Sequence, residues 1–322
     1  MPIQKVVPLK IANTTAPTQV RKLAIAPLRS AVPTQVFTLP SEPKKPDTDP
    51  LHYTWLIYGR EKIGKTTLMS SFPEAMFLST EPGTKGLSIY EFNSENGGVT
   101  DWKILRAAVD LLEKNPGKFK TIVIDTADRA YDMCLDYVCA EWGIEYPGSD
   151  SGGEQDFGKS WRAVKQEFQE IVYRIIHSGR GVCFTSHAKE QDIKLKDGTR
   201  YTRVFPTMGA QSRAIIEALV DFFFFADYIK DTDGNTRRIL ICQGDDTIWA
   251  GARKGVCSTF PQFIPIEEKN GYETIKAAFL GEYPGLDART LKVAQTSTKT
   301  GAAFIRKVAA KTVMQNIQYK ND

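Results

Sequence analysis

The chain has 322 residues, of which 42% are hydrophobic and 25% charged, the balance of a globular protein with one large domain or two modest ones. It has no run of 18 apolar residues and no apolar core in its first eight residues, so neither a membrane span nor a secretory leader is expected. The net charge of +4 is unevenly placed: residues 1–50 hold seven Lys and Arg against three Asp and Glu, residues 286–322 hold seven against two, and the middle is net acidic.

Residues 1–50 are rich in proline, and Ala16-Pro17-Thr18-Gln19-Val20 recurs as Val32-Pro33-Thr34-Gln35-Val36. A largely disordered, weakly basic arm is expected there. A globular domain is expected over residues 51–285. Residues 53–58 form an apolar run that suits a buried strand. Next comes Gly59-Arg60-Glu61-Lys62-Ile63-Gly64-Lys65-Thr66-Thr67, which fits the phosphate-binding P-loop pattern at the mouth of a helix over residues 66–72. The two glycines permit backbone angles and a close approach that a side chain would block. The loop can then turn its N–H groups inward as an anion nest. Lys65 can reach the terminal phosphates of ATP, and the Thr66 hydroxyl can reach Mg²⁺.

A second strand over residues 75–80 runs into Glu81, and a helix over residues 101–114, capped by Thr100, follows. Residues 120–125 read as a buried strand that ends in an acid. Ile122-Val123-Ile124-Asp125 is a Walker B pattern, whose carboxylate would hold Mg²⁺ through water. Thr126 follows Asp125 where many ATPases place a water-activating glutamate, which leaves Glu81 as the candidate base. Helices are expected over residues 127–142 and 157–178, with a flexible Gly/Ser loop between them. A buried strand over residues 181–186 ends in Ser186-His187, and His187 is a candidate sensor of the γ-phosphate. Strands alternating with helices mean βαβ units and a parallel sheet whose strand ends converge on the ligand.

From residue 192 the pattern changes. Residues 193–203 read as a hairpin with a two-residue Asp197-Gly198 turn. It carries Lys194, Lys196, Arg200, Tyr201 and Arg203, with Lys189 just before it; bases beside an aromatic suit single-stranded nucleic acid. A helix over 208–219, a second hairpin over 221–243 with Phe222, Phe223, Phe224 and Phe225 buried, and a short helix over 271–280 complete the domain. Residues 286–322 form a basic tail, with a helix possible over 302–317. The five cysteines, Cys134, Cys139, Cys183, Cys242 and Cys257, show no C-x-x-C spacing, which predicts free thiols in a reducing cytoplasm.

A P-loop, a glutamate closing the second strand, a Walker B acid without an adjacent glutamate and a polar end to the next strand together resemble the RecA-like recombinase core. In detail they are most similar to the phage nucleotide-binding proteins of that superfamily, the RecA-like ATPases of phage recombination modules. The resemblance covers residues 51–285 and is strongest at 59–67, Glu81, 122–125 and 185–189. It implies an α/β fold: a RecA-like P-loop NTPase core with a mostly parallel central sheet flanked by helices, plus C-terminal β-hairpins. It implies ATP and Mg²⁺ as cofactors, and hydrolysis coupled to single-stranded DNA in recombination, annealing or replication. It also implies a homo-oligomeric ring or filament, a single-strand-binding or annealing protein as a partner, and work in the cytoplasm, the host's if the chain is phage-encoded. DNA-binding loops would fall at residues 146–157 and 189–203. A basic residue, Arg253 or Lys254, would enter the neighbour's ATP site. RecA's own terminal domains have no counterpart here, so strand exchange does not follow. A P-loop nucleotide kinase and a non-hydrolysing ATP-dependent scaffold remain open as alternatives.

Overall fold

The computed structural model describes residues 39–149, 156–231, 234–253, 260–267, 269–283 and 291–292. The expected arm up to residue 38, the expected helix over 302–317 and Lys254 lie outside the described residues. The contacts of the domain begin just before the expected boundary at residue 51. The Asp49 side chain caps a turn at Pro50–His52, and the Tyr53 hydroxyl donates to the Asp47 carbonyl at 2.8 Å.

The elements in chain order are β1 (Thr54–Gly59), α1 (Lys65–Ser70), β2 (Ala75–Ser79), β3 (Tyr90–Glu91), α2 (Trp102–Lys114), β4 (Thr121–Asp125), α3 (Ala127–Trp142) and α4 (Lys159–Ile176). Then follow β5 (Gly181–Lys194), β6 (Arg200–Pro206), α5 (Ala210–Leu219), β7 (Phe222–Asp231), β8 (Thr236–Ile241), β9 (Gly251–Ala252), β10 (Phe263–Pro265), α6 (Gly271–Phe279) and β11 (Leu291–Lys292). The sheet runs β10-β8-β7-β1-β5-β4-β2-β3. The six strands from β7 to β3 are mutually parallel, and β8 and β10 extend the sheet antiparallel. This is the mostly parallel, helix-flanked sheet expected of a RecA-like P-loop core.

The sheet is buried on both faces, and alternate side chains of each strand enter opposite layers. Leu56, Leu78, Ile122, Ile124, Val182 and Phe184 pack with α2, α3, α4 and α5. Trp55, Ile57, Phe77, Val123 and Cys183 pack with α1 and α6 on the other face. Phe222 and Phe224 join that second layer, where Phe222 stacks on Trp55 at 4.2 Å between ring centroids. Phe225 is buried in a third cluster with Tyr58, and Phe223 is half-buried against the first layer.

Three local expectations are corrected. Asp101, not Thr100, caps α2: its carboxylate accepts from the Ile104 N–H at 3.0 Å, because a carboxylate at this position reaches the third residue of the first turn. The hairpin after the sensor strand has a three-residue loop, not a two-residue turn. Leu195 N–H donates to the Thr199 carbonyl, and Gly198 N–H donates back to Leu195, with Gly198 at φ +88°. Finally, the sensor strand and the first hairpin arm are one strand. Residues 181–187 of β5 pair with β4 and β1, and residues 188–194 run on to pair with β6, since no glycine or proline interrupts His187-Ala188-Lys189-Glu190.

Gly59 ends β1 against β7, where a Cβ would lie 2.6 Å from the Ala226 carbonyl oxygen and 2.9 Å from the Ala226 Cβ. Backbone must then move, so Gly59→Ala is expected to destabilise the fold by about 1–3 kcal/mol. Urea unfolding of the variant checks this. Gly83→Ala, where an added Cβ meets nothing within 4 Å, serves as the control with an unchanged midpoint.

Candidate nucleotide site

The C-terminal ends of β1, β2, β4 and β5 open into one cleft of about 790 Å³, whose walls include Lys65, Thr66, Glu81, Asp125, Thr126 and His187. The loop from β1 to α1 forms its floor. Lys62 and Gly64 have φ of +60° and +102°, and Gly64 is the position where glycine relieves the strain. Ile63 is fully buried and pins the middle of the loop. Lys65 is 6% exposed, and its Nζ donates to the carbonyls of Gly59 and Arg60, both at 2.9 Å. Burial pulls the Lys65 amine below the usual lysine range, and the nearby carboxylates of Asp125, Asp128 and Glu81 pull the other way. Arg60 provides the opposing charge for Asp227 on β7, whose fully buried carboxyl is pushed up by desolvation.

Asp125 sits at the end of β4 and accepts hydroxyl hydrogens at both oxygens. Thr66 Oγ1 donates to Oδ2 at 2.7 Å, and Thr185 Oγ1 on β5 donates to Oδ1. A carboxylate in hydrogen-bond contact with a threonine hydroxyl, at the mouth of a phosphate loop, offers the hard oxygen donors that Mg²⁺ prefers. The next peptide, Asp125–Thr126, is cis. Thr80 ties the ends of β2 and β4 together: its hydroxyl accepts from Thr126 N–H at 2.8 Å and donates to the Thr126 carbonyl at 2.9 Å.

Glu81 lies where β2 leaves the sheet. Its Oε1 accepts from Thr126 Oγ1 at 2.9 Å, and its Oε2 is 3.1 Å from His187 Nε2. The candidate base and the candidate sensor are therefore in direct contact, one from each side of β4. His187 Nδ1 is buried without a hydrogen-bond partner. Behind them Asp128, at the start of α3, accepts from the hydroxyls of Ser186 and Thr207, which brace the place where β5 leaves the sheet.

The six bases and aromatics expected to meet DNA are not all brought together. Lys194 pairs with Arg200 across the hairpin, and both are exposed near Lys196 at the tip. Tyr201 pairs with Ile193, so it lies on the other face of the ribbon. Lys189 stands at the base and donates to the Thr207 carbonyl at 3.3 Å. Arg203 lies further along β6, among aromatic rings and away from the tip. Its guanidinium lies 5.3 Å from the Phe205 ring and 5.4 Å from Trp249, beside Arg213, which stacks on the same two rings. In the other candidate loop, Tyr146 and Phe157 are exposed at its two ends, and residues 150–155 lie outside the described residues.

Arg253, expected to enter a neighbour's ATP site, has contacts within its own chain. Its guanidinium pairs with Asp221 at 3.3 Å and donates to the carbonyls of Val220 and Ala218, which ties the end of α5 to the start of β7. That point is level with Thr54, five strand residues from Gly59 and about 17 Å from the P-loop of the same chain.

Two residues of the site had no individual role in the sequence reading. Thr185 fell within the stretch 185–189 of the family resemblance, and the structure sets its hydroxyl on Asp125. Arg238 of β8 also borders the cleft. Its Nη1 is 2.8 Å from the place a Cβ of Gly64 would take.

A profile described as an AAA domain matches residues 52–254. No curated protein matches the chain. Among solved structures, a KaiC-like protein from the hyperthermophilic archaeon Pyrococcus horikoshii OT3 aligns with a TM-score of 0.36 and 13% identity, over 68% of this chain and 87% of that one. The match of the AAA domain spans the P-loop, the Walker B strand, the sensor strand and both hairpins, and the chain belongs to this AAA domain family of P-loop ATPases.

Proposed function

We propose that the protein is a Mg²⁺-dependent RecA-like ATPase that acts on single-stranded DNA in phage-type recombination, annealing or replication. The observation that carries this reading is the continuity of β5. One strand holds Thr185 and His187 at the nucleotide cleft and Lys194 at the exposed basic tip. On this reading the loop of Gly59 to Thr67 cradles the phosphates, with Lys65 on the terminal ones. Thr66 and Asp125 hold Mg²⁺, which would supply charge neutralisation of the phosphate oxygens. Glu81 takes the proton of the attacking water, and His187 holds Glu81 in place. The protein works as a ring or filament in the cytoplasm, with a single-strand-binding or annealing protein as partner.

The test uses the full chain, with and without Lys194, Lys196 and Arg200 changed to Ala. Binding of fluorescent single-stranded DNA is titrated with an ATP analogue, with ADP and without nucleotide. The wild type is expected to bind most tightly with the ATP analogue, with affinity falling steeply as salt rises. By linkage, DNA must tighten ATP binding by the same factor. The triple variant should lose most of the nucleotide-dependent part, whatever the terminal segments contribute on their own. Binding equal in all three nucleotide states, or an unaffected triple variant, returns the reading to a P-loop nucleotide kinase or an ATP-dependent scaffold.

A further inference from the structure

The phosphate loop is contacted from outside its own βα unit. Arg238 lies on β8, held in the middle of the antiparallel extension. It pairs with Tyr228 of β7 on one side, and its carbonyl accepts from Ile266 N–H at 2.9 Å on the other. From that fixed backbone the guanidinium reaches the P-loop. Nη1 is 2.8 Å and Cζ 3.6 Å from the position of a Cβ on Gly64, the residue directly before Lys65. The guanidinium also forms part of the wall of the nucleotide cleft itself. A strand interior is a rigid mount, and a guanidinium is a planar fork that pairs with phosphate oxygens at two points.

We propose that Arg238 is a second phosphate-binding cation of the site, supplied in cis by the C-terminal hairpin and acting beside Lys65. This rests on the reading of the cleft as an ATP site. A triphosphate carries up to about four negative charges, and in a cleft that also holds Glu81 and Asp125 the guanidinium adds to the positive charge that Lys62, Lys65 and Mg²⁺ would supply. Arg238 stands at the phosphate loop of its own chain, whereas the role expected of Arg253 was in a neighbour's site. The placement also has a consequence for substrate occupancy. The β7–β8 hairpin feels the phosphates directly through Arg238, without any movement of β5.

The experiment compares wild type, Arg238→Gln and Arg238→Lys as full chains. Equilibrium binding is measured for ATP, ADP and inorganic tripolyphosphate, with unfolding midpoints recorded in the absence of ligand. Loss of a charge-assisted phosphate contact should weaken all three ligands by about 10–100-fold in Arg238→Gln. Arg238→Lys should recover part of that loss, and the ligand-free midpoints should stay close to wild type. A merely structural prop would lower the midpoint and leave the affinity of the folded fraction unchanged, which overturns the proposal. So does a variant that loses ATP but keeps tripolyphosphate, because the contact would then be to the nucleoside. If wild type itself binds none of the three, the ATP-site reading fails and the proposal falls with it. If wild type binds all three and Arg238→Gln matches it, only the proposal fails.

Discussion

Lys65→Ala is expected to abolish productive ATP binding, weakening it by about 10³-fold or more. The amine sits at the floor of the cleft, 6% exposed, with its two hydrogen bonds to the Gly59 and Arg60 carbonyls. Those carbonyls belong to the loop that would cradle the phosphates, so the amine is already aimed at the ligand's position. A phosphate exchanges one set of acceptors for a stronger, charged one, and each charged hydrogen bond contributes about 1.5–3 kcal/mol. Two such bonds, to β- and γ-phosphate oxygens, amount to about 4 kcal/mol or about 10³-fold in affinity. Titration of a fluorescent ATP analogue measures it. The ligand-free unfolding midpoint should move little, because the removed bonds are to loop carbonyls that face the cleft. Unchanged nucleotide affinity would remove the P-loop assignment.

Glu81→Gln should leave ATP binding within a few-fold of wild type and lower turnover by about 10²–10⁴-fold. The amide keeps the shape and still accepts the Thr126 hydroxyl at its carbonyl oxygen, but it cannot take a proton from water. The contact with His187 Nε2 at 3.1 Å makes a second readout available. Replacing His187 by Asn should lower turnover less than Glu81→Gln, because His187 acts through Glu81 and the carboxylate itself survives. Steady-state hydrolysis with parallel binding measurements separates the two effects. Wild-type turnover in Glu81→Gln would show that another group activates the water.

The sheet was legible because parallel strands covered on both faces appear as short apolar runs, as at Ile122-Val123-Ile124 and Val182-Cys183-Phe184. The cleft was legible for a related reason: in such a sheet the residues that follow each run, Gly59, Glu81, Asp125 and His187, arrive at one edge. Where the sheet ends, local pattern loses its hold. Beyond His187 β5 leaves the two-sided sheet and becomes one arm of a ribbon, so its apolar run gives way to polar residues and a single strand reads as two. Arg203 looked like an exposed base because its captors, Phe205 and Trp249, are separated in sequence by 44 residues and meet only through the Val204 to Ile248 bridge. Arg238 reaches the P-loop through two registers, Tyr228 opposite Arg238 and Gly59 opposite Ala226, which only the assembled sheet determines. The contact of Arg253 with Asp221 is likewise set by the assembled sheet, since 32 residues separate the two in sequence.

The unbroken run of β5 makes the hairpin a lever. Its fulcrum is His187, gripped by Glu81 on one side and by the Thr207 N–H on its carbonyl, and on the proposed reading its load is carried at Lys194, where the strand ends. Seven residues of extended chain separate the two, an arm of about 23 Å. A swing of only about 5° at the fulcrum would carry the tip through about 2 Å, the scale on which a salt link to a phosphate is made or broken. An arm with a glycine hinge at its root would absorb such a swing. This one has Ala188-Lys189-Glu190 there, with every residue paired to β6, so a displacement too small to reshape the cleft still arrives at the far end.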